Sequence, residues 1–453
     1  MSTPHATRPS LWTLRFISVE AMSGLVLLAA AAIALACANS RLSHAYEALW
    51  QWRPGFGMPL LPAYDLRFWV NDGLMTVFFL LVGLEIRREI HDGSLSNPRI
   101  ATLPIVAAAG GVLVPALLYI LVGSTPLVRR GWAIPTATDI AFAVGVLSLI
   151  PRVPPALRVL LLTLAIADDV AAILIIALFY SGGMAPGQLL LIAAGIALVL
   201  LLQALSVQSA LAYVLPGAVV WFGTLRAGVH PTLAGVVLGL LTPVSAVFGW
   251  RIRRQPAPRT GPSGVQPLDP PRAAEPPVVR VEAILHPWVA FGIMPLFAFA
   301  NAGVSLEGLD LGAEVPLTVG AGIVLGLVLG KPIGIVLAAL ATVRLKLAEL
   351  PEGVRWRELV LLGILGGIGF TMSIFIANLA FPDGPLLTAA KFGVLLGSAL
   401  AAVLALTLGR SKSAAVLAET PGNTTSDGFE RRPSVGACGK RRPRGGAKVS
   451  TRS

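Results

Sequence analysis

Acidic side chains stand in the middle of two apolar stretches of this sequence. Asp139 lies in GWAIPTATDIAFAVG (131–145), and Asp168 and Asp169 lie side by side in TLAIADDVAAILIIALFY (163–180). A carboxylate in hydrocarbon costs ~2.5–3.5 kcal/mol even on lenient insertion scales, so acids inside such stretches mark a functional site. Adjacent helical residues point about 100° apart, so Asp168 and Asp169 can border one cavity and keep different partners. Such a carboxylate can be protonated at one pH and a cation ligand at another, so that a proton and a metal ion compete for the same oxygens. Two or three carboxylates, with the Thr138 hydroxyl or backbone carbonyls, suit a hard cation such as Na+ or Li+. A softer metal would want His or Cys, and neither lies beside these acids. The residues point to a cation site inside a membrane transporter.

Lys331, deep in LVLGKPIGIVLAAL (327–340), is the basic counterpart. A lysine so placed needs a carboxylate partner, and Asp168 or Asp169 is the candidate. Paired in that way it neutralises the ion-free site and releases a proton on ion binding. The other reading is a lysine that snorkels its ammonium to an interface.

The elements that must hold these groups are interrupted helices. Pro135, Thr136 and Thr138 precede Asp139, and proline removes a backbone hydrogen bond that threonine hydroxyls can replace. The later stretch GGIGFTMS supplies Gly366, Gly367 and Gly369 before Thr371. Two interrupted segments in corresponding halves of a chain point to a transporter's binding site. A glycine-rich face for close helix contact is the alternative for the second. Four further residues are candidates. Asp72, in WVNDGLM, faces a funnel or sits near a helix end. Glu85 lies beside Arg87 and Arg88, and Glu282 precedes LHPW; both suit ion pairs at a helix end. His230, in RAGVHPTLAG, is placed for pH sensing or for capping.

Composition supports a membrane setting. The chain has 453 residues, 55% hydrophobic and only 13% charged, about half the usual globular share. Twelve apolar segments can each span a bilayer: roughly 17–37, 66–86, 101–122, 131–150, 156–180, 187–205, 209–225, 230–248, 284–303, 315–342, 358–381 and 386–409. The net charge of +12 resides in two places. The stretch 251–280 sets six arginines against Asp269 and Glu275, and 411–453 sets nine Lys/Arg against Glu419, Asp427 and Glu430, which makes ten of the twelve charges. A basic excess in membrane-flanking loops is a positive-inside bias, not a nucleic-acid surface, and it puts both termini in the cytoplasm. The expected organisation is a cytoplasmic N-terminus (1–16), a helical domain (17–410) and a disordered basic tail (411–453). Within the domain, 41–64 reads as an external hairpin and 251–280 as a Pro/Arg-rich linker. Cys37 and Cys438 suggest neither a disulfide framework nor a metal cluster.

Seven blocks, in order, resemble the NhaA-type sodium/proton antiporters: NDGLMTVFFLLVGLEIRRE, GWAIPTATDIAFAVG, TLAIADDVAAILIIALFY, AGVHPTLAG, LHPWVAFGIMPLFAFANAGV, LGKPIGI and GGIGFTMSIFIA. The resemblance covers about 12–409. It implies an all-α polytopic membrane protein of twelve transmembrane helices, with an inverted repeat of spans 3–5 and 10–12 and broken crossing helices in spans 4 and 11. It implies a bacterial inner-membrane location and electrogenic exchange of more than one H+ per Na+ (or Li+), activated by alkaline pH, without a cofactor. By position, Asp169 would be the main ion ligand and proton carrier and Asp168 would pair with Lys331. Thr138 and Asp139 would lie at the helix crossing, where Asp139 compensates the broken ends. Asp72 would fall in a charge network between cytoplasm and site, Glu85 and Glu282 in a cytoplasmic pH-sensing cluster, and His230 would tune the pH response. Residues 41–64 would form the hairpin of a homodimer. The linker 251–280 and tail 411–453 depart from the pattern and bear on the pH set point.

Other classes fit less well. A proton-coupled symporter of organic anions would place net positive charge at the half-helix ends, whereas three acids here face one Lys331. A passive channel is not what twelve continuous spans with central acids suggest. An enzyme would need a metal-ligand cluster, nucleophile elbow or phosphate loop, and the spans have none.

Overall fold

Prolines set where many of the helices begin. Pro98, Pro126, Pro155 and Pro277 each occupy the first helical turn, where the missing N–H costs nothing. The computed structural model describes residues 11–54, 64–123, 125–182, 186–207, 209–244, 276–305 and 314–418, and the regular structure among them is all helical. In chain order the helices are α1 (Leu11–Ala38), α2 (Ser43–Gln51), α3 (Leu66–His91), α4 (Pro98–Val122), α5 (Pro126–Thr136), α6 (Ile140–Ser148), α7 (Pro155–Phe179) and α8 (Leu189–Ala204). They continue with α9 (Ala210–Ala227), α10 (Leu233–Leu241), α11 (Pro277–Asn301), α12 (Glu314–Arg344), α13 (Trp356–Gly366), α14 (Phe370–Ala380) and α15 (Pro385–Ala418).

Seven of these helices are long and apolar enough to cross a membrane, or ten spans if each bent pair counts as one. Twelve were expected from the apolar segments. The difference lies in α8 and in α10, whose nine residues rise only about 14 Å against a hydrocarbon core of about 30 Å. Large apolar side chains stand exposed along the long helices, while several charged groups are buried. Leu121 is 81% exposed, whereas Lys331 is 0% exposed and Asp139, Asp168 and Asp169 at most 2%. That is the arrangement lipid demands, with polar groups turned toward the bundle interior.

Several expected boundaries shift. The first half of the expected 41–64 hairpin is the helix α2. Tyr46 and Trp50 fall one turn apart on its buried face and meet Phe299, and the Tyr46 hydroxyl donates to the Phe299 carbonyl at 2.5 Å. Residues 55–63 lie outside the described residues, as do 1–10, 251–275 and 419–453. The end of the expected 251–280 linker is helical from Pro277, and helix continues past 410 to Ala418 through the good helix formers of SKSAAVLA.

Two features of the bundle position the site. A long helix, a broken helix and a long helix follow one another twice: α4, α5–α6, α7, and then α12, α13–α14, α15. The breaks bend the chain by 47° at α5–α6 and by 44° at α13–α14. Gly110 of α4 and Gly334 of α12 let those two backbones touch, since a Cβ on either would fall on the other's carbonyl oxygen. The second feature is a set of π-helical turns at Trp69–Leu74, Val289–Ile293 and Gly326–Gly330. The last immediately precedes Lys331. Such turns recur at functional sites because they re-aim the following side chains.

Candidate functional site

The two breaks meet at their ends. Proline and the extended backbone at Ala137 and Asp139 stop α5 and restart the chain as α6, with Asp139 as its N-cap. The Asp139 carboxylate accepts from the Phe142 N–H at 3.0 Å within its own helix. Across the crossing it accepts from the Thr371 N–H at 3.1 Å and from the Thr371 hydroxyl. The Asp139 N–H in turn donates to the Ile368 carbonyl at 2.7 Å. The free N–H groups at the starts of α6 and α14 thus share one buried carboxylate, which stands at the positive ends of both half-helix dipoles. The glycines make the approach possible. A Cβ at Gly367 would strike the Leu327 carbonyl oxygen, and one at Gly369 would come within 3.0 Å of the Ala137 carbonyl oxygen.

One helical turn of α7 supplies the other two acids, and the structure separates them. Asp168 accepts from the Lys331 ammonium and, at 2.6 Å, from the Thr138 hydroxyl. Thr138 also lies 2.8 Å from the Gly366 carbonyl and accepts from Lys331. The Asp168–Lys331 pair is therefore tied to both breaks, through Thr138 on one and Gly366 on the other. Asp169 borders a cavity of about 260 Å³ that also reaches Thr138, Asp139, Glu85, Arg88 and Glu89. The Oδ1 atoms of Asp168 and Asp169 are both buried without a hydrogen-bond partner. Buried carboxylate oxygens are ordinarily satisfied, so each of these two is an open hard-oxygen acceptor.

The remaining candidates divide between two regions. Arg88 pairs with Glu282 at 2.8 Å, and Glu85, Arg88 and His286 line the same cavity as Asp169. Asp72 and Glu85 share α3 but stand thirteen residues apart, about 20 Å along a helix, and Asp72 is not on that cavity. It meets His230 instead, Nε2 to Oδ1 at 3.5 Å, while His230 Nδ1 lies 2.8 Å from the Thr232 hydroxyl.

Other polar residues of the interior escaped the sequence reading. Ser398 accepts from the Phe370 N–H at the start of α14. Lys391 is buried in α15, and Asn71, Asn301 and Asn378 gather from three helices. An amide or ammonium in an apolar stretch is itself a signal, and would have found the last four.

An apolar-faced helical bundle, with two helices broken where their ends meet and a cavity leading from one end to buried carboxylates, has the build of a membrane transporter. The sequence matches the Na+/H+ antiporter 1 family over residues 14–408, and the chain belongs to that family. It is 54% identical over 431 residues to Na(+)/H(+) antiporter NhaA 2 of Pseudomonas putida KT2440, covering 90% of this chain and 95% of that protein. It is 53% identical over 417 residues to Na(+)/H(+) antiporter NhaA of Cupriavidus necator H16, covering 87% and 88%. To Na(+)/H(+) antiporter NhaA of Bordetella petrii it is 54% identical over 419 residues, covering 87% and 89%.

Proposed function

We propose that this protein exchanges Na+ (or Li+) for H+ across the bacterial inner membrane, electrogenically and under pH control, by alternating access. The observation that carries this reading is the unequal treatment of the two adjacent aspartates: Asp168 is held by Lys331 and Thr138, while Asp169 faces the cavity with an orphaned oxygen. Asp169 is the ion ligand that alternates between a proton and Na+. Asp168 and the Thr138 hydroxyl complete the oxygen set. When Na+ enters, it draws the Asp168 carboxylate away from Lys331, whose ammonium gives up a second proton. Two protons then leave for one Na+, and net charge moves. Asp139 holds the crossing together and does not itself leave its Thr371 donors.

The twelve crossings would be the seven long helices, the three bent pairs, α8 and α10. The positive-inside bias puts both termini and the Arg88–Glu282 end of the cavity in the cytoplasm. Glu85 and Glu282, at that mouth, then belong to the pH response, and Asp72 with His230 modulates it from the other side of the site. Residues 41–64 supply a homodimer contact, and lipid and the transported ions are further associates.

The test is exchange in everted vesicles. With an imposed pH gradient, added Na+ should dissipate the gradient for the wild type and leave it intact for Asp169→Asn at equal protein amount. An Asp169→Asn variant that still exchanges would remove Asp169 from the site.

A further inference from the structure

The cavity that Asp169 borders reaches the site from the end of α3 that carries Glu85 and Arg88, and the outer half of α14 packs toward the other end of α3. One face of α14 carries both the site and this packing. Thr371, Phe375 and Asn378 have the i, i+4, i+7 spacing that aligns side chains along a helix. Thr371 donates to Asp139. One turn on, the ring of Phe375 lies against Phe79 of α3 (centroids 5.3 Å apart), His230 (5.4 Å) and Phe297 of α11 (6.2 Å). Nearly another turn on, the Asn378 amide donates to Asn301 Oδ1 at 2.9 Å.

Asn301 is the centre of this second layer. Its amide donates to Asn71 Oδ1 at 2.7 Å and to the Phe297 carbonyl at 3.0 Å, and its oxygen accepts from Asn71 at 3.3 Å as well as from Asn378. Two donors and two acceptor positions are all used, so a buried carboxamide is satisfied only while α3, α11 and α14 are together. The ring layer excludes water but is not directional. The amide layer fixes one register of the three helices. Both partner helices also carry a π turn nearby, Trp69–Leu74, which contains Asn71, and Val289–Ile293. That is where a helix can change register locally.

We infer that Asn71, Asn301 and Asn378 form a latch that seals the ion site on the side away from the cavity and must open for the site to face that side. The inference rests on the transport reading above. The three asparagines are positioning residues; they do not touch the ion in the closed arrangement. Because Thr371 and Asn378 ride on one rigid half-helix, a change at Asp139 reaches the latch directly.

The test uses the full chain in oriented vesicles, with the apparent KM for Na+ measured from each face. A weaker latch shifts the population toward the far-facing state, so affinities at the two faces must move in opposite directions. Asn378→Leu should lower KM from the face remote from the cavity and raise KM from the cavity face, each several-fold; Asn378→Ser, which keeps a donor, should shift less. A lower rate with both KM values unchanged, or both moving together, would mean a structural role and overturn the latch. As a second variant, Asn301→Cys with Asn378→Cys is made in a Cys37→Ser, Cys438→Ser background and joined by a short bifunctional thiol reagent. Cross-linking should stop exchange while 22Na+ still binds from the cavity face. Full exchange after cross-linking refutes the latch, provided the wild type exchanges in the same vesicles. A wild type that does not exchange refutes the transport reading instead.

Discussion

At the scale of single residues, the proposed exchange assigns holding to Asp168 and exchanging to Asp169. Lys331 and Asp168 are a buried pair with a hydroxyl between the breaks to orient them, and a buried ion pair is strongly destabilised when one member is removed. Lys331→Ala should therefore cost about 3–5 kcal/mol, because it strands the Asp168 charge. Lys331→Ala combined with Asp168→Asn should recover much of that loss, with a coupling of at least about 1 kcal/mol. Thermal unfolding of the four proteins in detergent measures the cycle; additive losses would show that the two side chains do not depend on each other. These residues were legible in the sequence because an ionised group in an apolar stretch is costly wherever the helix ends up. Which aspartate Lys331 would choose was not legible from the residues themselves. It depends on the π turn at Gly326–Gly330 and on Thr138 reaching across to Gly366, both products of tertiary contact.

At the scale of elements, the breaks could be read from PTATD and GGIGF, since proline and glycine mark them locally. The π turns could not, because no residue type demands them and the neighbouring helices impose them. Nor could the helical character of 43–51 be separated from a hairpin without knowing that Phe299 waits for Tyr46 and Trp50. The contact between α4 and α12 is the element-level support of Lys331, three residues before Gly334. Gly334→Ala would drive a methyl onto the Gly110 carbonyl and to within 3.0 Å of the Val114 Cβ. Backbone cannot yield there as a flexible side chain would, so the expected loss is about 1–3 kcal/mol with reduced exchange. Gly292→Ala, whose added methyl meets nothing within 4 Å, is the control and should stay within about 0.5 kcal/mol of wild type. Melting temperatures of both variants decide it: equal, small shifts would mean that α4 and α12 can separate without consequence.

At the scale of the whole molecule, charge is arranged for traffic in one ion class. Arginine flanks the cavity mouth at Arg88, acids line the way to Asp169, and rings and amides pack toward the other end of α3. Under the proposed exchange, a proton and Na+ compete for the same oxygens and cannot both occupy them. Ligands that must be deprotonated to bind make cation affinity depend on pH. The sign follows directly: raising the pH on the cavity side removes the competitor, so the apparent KM for Na+ should fall as pH rises. If only Asp169 exchanges its proton, log KM should fall by about one per pH unit over the titrating range and level off above it. If Lys331 must also release a proton, the slope should steepen toward about two. Initial rates in everted vesicles, over a series of pH values and Na+ concentrations, give that slope. A KM that stays constant while only the maximal rate changes would mean that proton and Na+ occupy different groups, and would move the proton carrier away from the Asp168–Asp169 turn.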